Sequence, residues 1–145
     1  MSDKIKQSLI GGIVGTVAMT IIIWMAPLMG FPKISPPDML AGMLGLPVFV
    51  GWVMHFMIGI IFAMAYAFFF IKVVKKVNNN ILKGAIFGFV AFIIAQITLA
   101  IMGAAFPMPQ MEGSMILNLT GSLMGHVVFG ITLALVVKFP LIEKH

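Results

Sequence analysis

Four long apolar runs take up most of this 145-residue sequence. A helix needs about 20 apolar residues to cross the ~30 Å hydrocarbon layer of a bilayer. Backbone groups in lipid must be hydrogen-bonded internally, so runs of this length are expected to fold as helices. The sequence therefore predicts an all-α membrane protein, a single domain over residues 1–145, with transmembrane helices over residues 8–28, 49–71, 81–105 and 115–137.

The composition supports a lipid-facing chain and argues against several function classes. Hydrophobic residues make up 61% of the sequence and charged residues 9%, and the mean hydropathy is +1.16. This is far from the mix of a soluble globular domain, and four spans leave no room for a separate catalytic domain in water. No carboxylate pair, glycine-rich phosphate loop or serine beside a base and an acid occurs, so enzymatic activity is not expected.

The lysines predict the orientation of the helices. All nine basic residues are lysines, and only Lys33 lies on the opposite side of a four-span chain from the other eight. Because loops rich in lysine stay in the cytoplasm, both termini and the central connection are expected there. The formal charge of +5 does not indicate a nucleic-acid partner, since no basic face is interleaved with aromatic residues. The eight lysines are Lys4, Lys6, Lys72, Lys75, Lys76, Lys83, Lys138 and Lys144.

An internal repeat indicates two tandem helical hairpins. The segment at residues 11–18, GGIVGTVA, matches the segment at residues 84–91, GAIFGFVA, in the positions of its small residues. Each repeat holds two spans, so the copies are expected to be related by a pseudo-two-fold axis along the membrane normal. Glycines four residues apart in both segments predict close helix packing, either inside the bundle or between protomers.

The connection between the first two spans differs in character from the others. Residues 30–47 contain four prolines, and Ser35 and Pro36 precede an apolar stretch. Proline is favoured in the first turn of a helix. A short helix over residues 36–46, lying on the outer membrane surface, is therefore expected.

Two histidines occupy matching places in the repeat, each in a series of small residues spaced by four. Ionisable groups inside an apolar span are costly, and they usually face the bundle interior. Both histidines lie roughly 10 to 15 Å inside the outer ends of their helices, at ~1.5 Å per residue. The sequence predicts that they form a site in the outer half of the bundle, with neighbouring glycines and a glutamine at the same level. The predicted site residues are His55, His126, Gly51, Gly59, Gly125, Gly130 and Gln96.

Haem b is the leading ligand expected for this site. Imidazoles on two helices of a four-helix bundle can hold haem iron from both faces, and glycines one turn away would leave room for the macrocycle. Such a protein would transfer electrons or serve as an accessory subunit. No sequence motif is specific for b-type haem, however. The competing interpretation is that each histidine only hydrogen-bonds across a helix interface, to a carbonyl, Gln96, Thr98 or Ser122.

Copper is the alternative ligand. Thioethers are soft ligands that suit Cu(I), and methionines around two histidines could form a copper site. Most of the methionines are nevertheless expected to be packing residues, and the absence of cysteine excludes thiolate ligands. The methionines of the predicted outer loops and outer half are Met25, Met29, Met39, Met43, Met54, Met57, Met102, Met108, Met111, Met115 and Met124.

A third interpretation needs no cofactor. The protein would then be a structural subunit whose glycine faces hold a homo-oligomer or a larger membrane complex together.

The chain resembles a family of uncharacterised four-span bacterial inner-membrane proteins. The resemblance rests on the run WMAPLMGFPK at residues 24–33, on Met39 and Leu40, and on GWVMHF at residues 51–56, and it covers most of the chain. It implies a small multi-pass protein of the bacterial inner membrane. It implies no catalytic residue, because no mechanism is established for that family.

Overall fold

The computed structural model describes residues 2–138 as an all-helical chain without strands. Residue 1 and residues 139–145 lie outside the described part, and with them Lys144 and the ends of the predicted domain. The elements in chain order are α1 (Ser2–Met25), a 3-10 turn (Ala26–Met29), α2 (Pro36–Leu44), α3 (Val48–Ala65), a π-helical turn (Tyr66–Phe70), α4 (Ile71–Val73), α5 (Asn80–Ala105) and α6 (Met115–Val136).

Four helical segments are long and apolar enough to cross a membrane, which confirms the predicted number of spans. They cover Asp3–Met29, Val48–Val73, Asn80–Ala105 and Met115–Val136. The helix α1 begins at Ser2, several residues before the predicted span. The prediction counted only apolar residues, whereas the polar residues of the first turns are helical as well. Asp3 lies in that first turn, where a negative charge stabilises the helix N-terminus.

Capping residues stand where several of the helices begin or end. Gly30 (φ 86°) follows the 3-10 turn and Gly45 (φ 65°) follows α2, and both adopt the left-handed backbone conformation that glycine tolerates best. The side chain of Asn79 caps α5 by accepting hydrogen bonds from the backbone N–H groups of the next turn, the shorter at 2.8 Å. Ser114 caps α6 in the same way.

The helices pack in the spatial order α3, α1, α6, α5, so that α1 and α6 lie in the middle. Glycines set how closely they approach. A Cβ added at Gly12 would lie 2.7 Å from the Cα of Ile60 in α3, and one added at Gly84 would lie 2.5 Å from the Cα of Ile131 in α6. The predicted glycine rows therefore pack within the chain: α1 contacts α3 and α6 through its row, and α5 contacts α6 through the other.

Aromatic rings join the two outermost helices at one end of the bundle. The ring of Phe87 in α5 lies 5.0 Å from the rings of both Tyr66 and Phe70, and 6.4 Å from that of Phe62. These contacts lie near the turn at residues 74–79, and we call this the turn end of the bundle. The opposite end, which carries residues 26–47 and 106–114, is the loop end.

The two hairpins contact each other unequally. The helix α1 packs against α6 along much of its length, whereas α3 and α5 share only sparse backbone contact besides the rings around Phe87. The predicted pseudo-two-fold axis would make these two pairs equivalent, and it stays a prediction. The sequence did not predict the π-helical turn that brings Tyr66 and Phe70 to Phe87.

Substituting Gly88 tests whether close backbone approach stabilises the bundle. A Cβ there would collide with the carbonyl oxygen of His126 and lie 2.7 Å from the Cα of Val127, and backbone cannot move aside. We expect Gly88→Ala to lower the free energy of unfolding in detergent by about 1–3 kcal/mol. The control is Gly103→Ala in the same helix, where the nearest atoms belong to the flexible side chain of Met108. Equal losses in the two variants would contradict this interpretation.

Candidate functional site

His55 lies on the face of α3 that packs against α1. Its side chain is 7% exposed, and its Nε2 lies 3.3 Å from the hydroxyl oxygen of Thr20. That hydroxyl donates its own hydrogen to the carbonyl of Thr16 at 2.7 Å. Thr20 must therefore accept a hydrogen bond from His55, which places the imidazole proton on Nε2 and leaves the Nδ1 lone pair free.

His126 lies on α6 and is half-buried beside α5. Its Nδ1 is 2.8 Å from the backbone carbonyl of Ser122, one turn earlier in the same helix. Because a carbonyl can only accept, Nδ1 carries the proton and Nε2 keeps its lone pair. The amide of Gln96 donates to the Ser122 hydroxyl at 3.3 Å, and the ring of Phe92 stands 5.9 Å from the imidazole in an edge-on contact.

Each histidine thus keeps one ring nitrogen without a hydrogen-bond partner among residues 2–138. The two atoms are Nδ1 of His55 and Nε2 of His126. The described residues contain no fully buried side-chain nitrogen that lacks a partner, so each of these atoms borders space that a water-sized molecule can reach. Metal-binding imidazoles in proteins are oriented in this way, by a hydrogen bond from the nitrogen that does not bind the metal.

His55 and His126 lie on two helices that both pack against α1. The middle of α1 connects them. Thr20 holds His55, and the preceding residue, Met19, packs with Ile23 against Gly125, the neighbour of His126 in the chain. The Met19 side chain is only 7% exposed. A buried thioether therefore lies on the helix that separates the two histidines.

The glycines of the predicted site bring helices together. The space beside Gly51 is filled by the Pro37 carbonyl, and that beside Gly59 by the Thr16 side chain. Gly125 faces α1, and Gly130 faces the backbone of α5. None of the four borders open space in this packing, and their role in holding a cofactor stays a prediction.

The donor set of the bundle is restricted to imidazole, thioether, hydroxyl and amide groups. No group of three or more histidines, aspartates or glutamates comes together within residues 2–138.

Sequence reasoning named Ser122 among the candidate partners of the histidines, but it missed Thr20 as the partner of His55 and the space at the loop end. Ser122 lies one turn before His126 in α6, so its spacing of four was visible in the sequence, whereas the pairing of Thr20 with His55 depends on how α1 and α3 pack. Two cavities also open at the loop end, and Lys33 and Asp38 line both of them. The charges of Lys33 and Asp38, in the connection between the first two spans, were the one available signal for these cavities.

The fold and the placement of its polar groups define a multi-pass membrane protein: four apolar helices with two hydrogen-bonded histidines between them. Residues 2–141 match the model of a family of unknown function, DUF6789, and the chain belongs to that family. This confirms the resemblance to an uncharacterised family, and no activity comes with it. No curated protein and no solved structure matches the chain.

Replacing Thr20 tests the orientation of His55. The variant Thr20→Val keeps the shape of the side chain but leaves the His55 Nε2–H without its acceptor. We expect a loss of about 1–2 kcal/mol in the free energy of unfolding, and a change in the side-chain ¹⁵N chemical shifts of His55 as the other tautomer becomes populated.

The matched control is Thr120→Val. Thr120 is exposed, and its hydroxyl donates to the carbonyl of Ile116 in its own helix. We expect a change within about 0.5 kcal/mol and no shift of the His55 signals. If Thr20→Val left the His55 signals unchanged, the assigned hydrogen bond would be wrong.

Proposed function

We propose that this protein is an integral membrane metal-binding protein whose site is formed by His55 and His126. The observation that carries the proposal is the pair of free imidazole lone pairs, one on each hairpin. Ionisable side chains within membrane spans are expensive and are a reason to look for function. Both of these rings are held by hydrogen bonds in orientations that leave one nitrogen able to bind an ion.

Copper(I) is the ion that the donor set favours. Neutral imidazoles and thioethers are ligands that suit it, and it accepts as few as two or three of them. The third donor is Met19, whose buried side chain packs beside Gly125 on the helix that lies between α3 and α6. In this proposal the protein holds copper within the outer half of the membrane, for transfer to or from a partner.

Haem b is the second candidate, because the same imidazoles could serve as axial ligands. The sparse contact between α3 and α5 towards the loop end supports it, since a flat group needs a gap between helices. Against it, the free nitrogen of His55 is Nδ1, which lies next to the Cβ atom. A large macrocycle approaches that nitrogen less easily than a small ion does. When bound, the group would supply one-electron chemistry.

The experiment compares metal binding by purified protein and its variants. Under anaerobic, reducing conditions, we expect the wild-type protein in detergent to take one Cu(I) per chain from a chromophoric chelator. His55→Ala and His126→Ala should each weaken binding by at least about tenfold, as even changes in groups that only orient a ligand do. Met19→Leu should weaken it less. The matched control Met57→Leu changes an exposed thioether on α3 and should have no effect.

The outcomes separate the candidate functions. A Soret absorption band that disappears in both histidine variants would favour haem over copper. Copper binding that is unchanged in both histidine variants would contradict the site. Protein that binds neither group would leave the cofactor-free structural subunit as the best account.

The proposal also includes the location of the protein in the bacterial inner membrane, with both termini and the turn end in the cytoplasm. The distribution of lysines supports this orientation. A homo-oligomer or a larger membrane complex stays a prediction. The glycine rows that would have supported such an interface are used for packing inside the chain.

Single cysteines test the orientation, because the protein has none of its own. Gln110 at the loop end and Asn78 at the turn end are both exposed. In whole cells, we expect a membrane-impermeant maleimide to label Gln110→Cys and not Asn78→Cys, and to label both after the cells are lysed. The reverse pattern in whole cells would show that the orientation is inverted.

A further inference from the structure

Two adjoining cavities at the loop end form a site that the metal proposal does not use. The first, of about 400 Å³, lies beside the ends of α1 and α3. The second, of about 260 Å³, lies beside the connection at residues 106–114. The segment from Lys33 to Ser35, together with Asp38 in the first turn of α2, lines both cavities and forms the wall between them.

The cavities carry charges that have no partner among residues 2–138. Lys33 and Asp38 line both, and Glu112 lines the second. None of these three side chains has an ion pair or a hydrogen bond within residues 2–138. Glu112 is nevertheless held in place, because its backbone carbonyl accepts a 2.7 Å hydrogen bond from the side chain of Asn118. One cationic and two anionic groups thus surround the same space.

The first cavity also has an apolar side at the level where the helices end. Trp24 and Trp52 line it, and their rings meet edge to face at 5.8 Å. Tryptophan is typical of the membrane–water interface, where one end of the ring is apolar and the other is wet. Trp24 is 61% exposed, and the two indole rings make the depth of the lipid headgroups the expected level of this cavity.

We infer that the two cavities bind the headgroup of a zwitterionic phospholipid with a primary ammonium group. The phosphate lies at Lys33, the ammonium group donates hydrogen bonds to Asp38 and Glu112, and the acyl chains leave past Trp24. An anionic lipid would face two carboxylates with one lysine. A quaternary ammonium headgroup cannot donate the hydrogen bonds that carboxylates accept.

The test measures which lipids the purified protein retains. Protein is reconstituted in nanodiscs with equal amounts of phosphatidylethanolamine, phosphatidylcholine and phosphatidylglycerol, and the lipids that remain bound after transfer to detergent are counted by native mass spectrometry. We expect phosphatidylethanolamine to be enriched about fivefold over each of the others. This corresponds to the largest stabilisation usually measured for an exposed charge pair. Equal retention of the three lipids, or a preference for phosphatidylglycerol, would overturn the inference.

Variants connect the preference to this site. Lys33→Gln and Asp38→Asn should each abolish the enrichment, and Glu112→Gln should reduce it. The matched controls Lys75→Gln and Asp3→Asn change charges at the turn end and should keep it. Enrichment that survives in both Lys33→Gln and Asp38→Asn would assign the lipid to another surface and reject the inference. Thermal unfolding of each variant in detergent checks that it is folded before its lipids are counted.

Discussion

The bundle depends on the close approach of helix backbones at glycine positions. Lipid tails are as apolar as the side chains between the helices, so burial gives little drive for association in a membrane, and van der Waals packing has to supply it. The contact between α5 and α6 shows this directly, since Gly84, Gly88 and Gly130 leave the two backbones touching. The same packing brings the backbone of His126 against α5 and so fixes where its side chain can lie.

The hydrogen bonds of the histidines follow from this packing. Gly59 lets α3 approach Thr16, and one turn further along the same interface His55 meets Thr20. A polar group buried in a bundle needs a partner. Thr20 on the neighbouring helix supplies it for His55, and the carbonyl of Ser122 in the same helix supplies it for His126. Each partner satisfies only one ring nitrogen, and the second nitrogen of each ring has no hydrogen-bond partner within residues 2–138.

The number and type of helices followed from the sequence, because the length of an apolar run is set by the bilayer and needs no knowledge of neighbouring helices. The order of the helices did not follow. The repeat of small residues predicts that Gly12 lies at a helix interface. It does not predict whether the neighbouring helix is α3, at Ile60, or a helix of another chain. The π-helical turn at Tyr66–Phe70 and the pairing of Thr20 with His55 depend on the same tertiary choices. The predicted site residues His55 and Gln96 were correctly placed on spans, whereas the purpose of the neighbouring glycines became clear only from what fills the space beside them.

Trp52 links the two proposed sites. Its ring lines the first loop-end cavity and stands 6.3 Å from the ring of His55, one turn further into α3. Trp24 meets Trp52 edge to face, so both indole rings line the charged cavity, and that of Trp52 lies between it and the buried imidazole. The Trp52 ring thus separates the charged cavity from the apolar surroundings of His55, which the proposed metal site would require. A headgroup held at Lys33 and Asp38 would also cover the outer side of that ring.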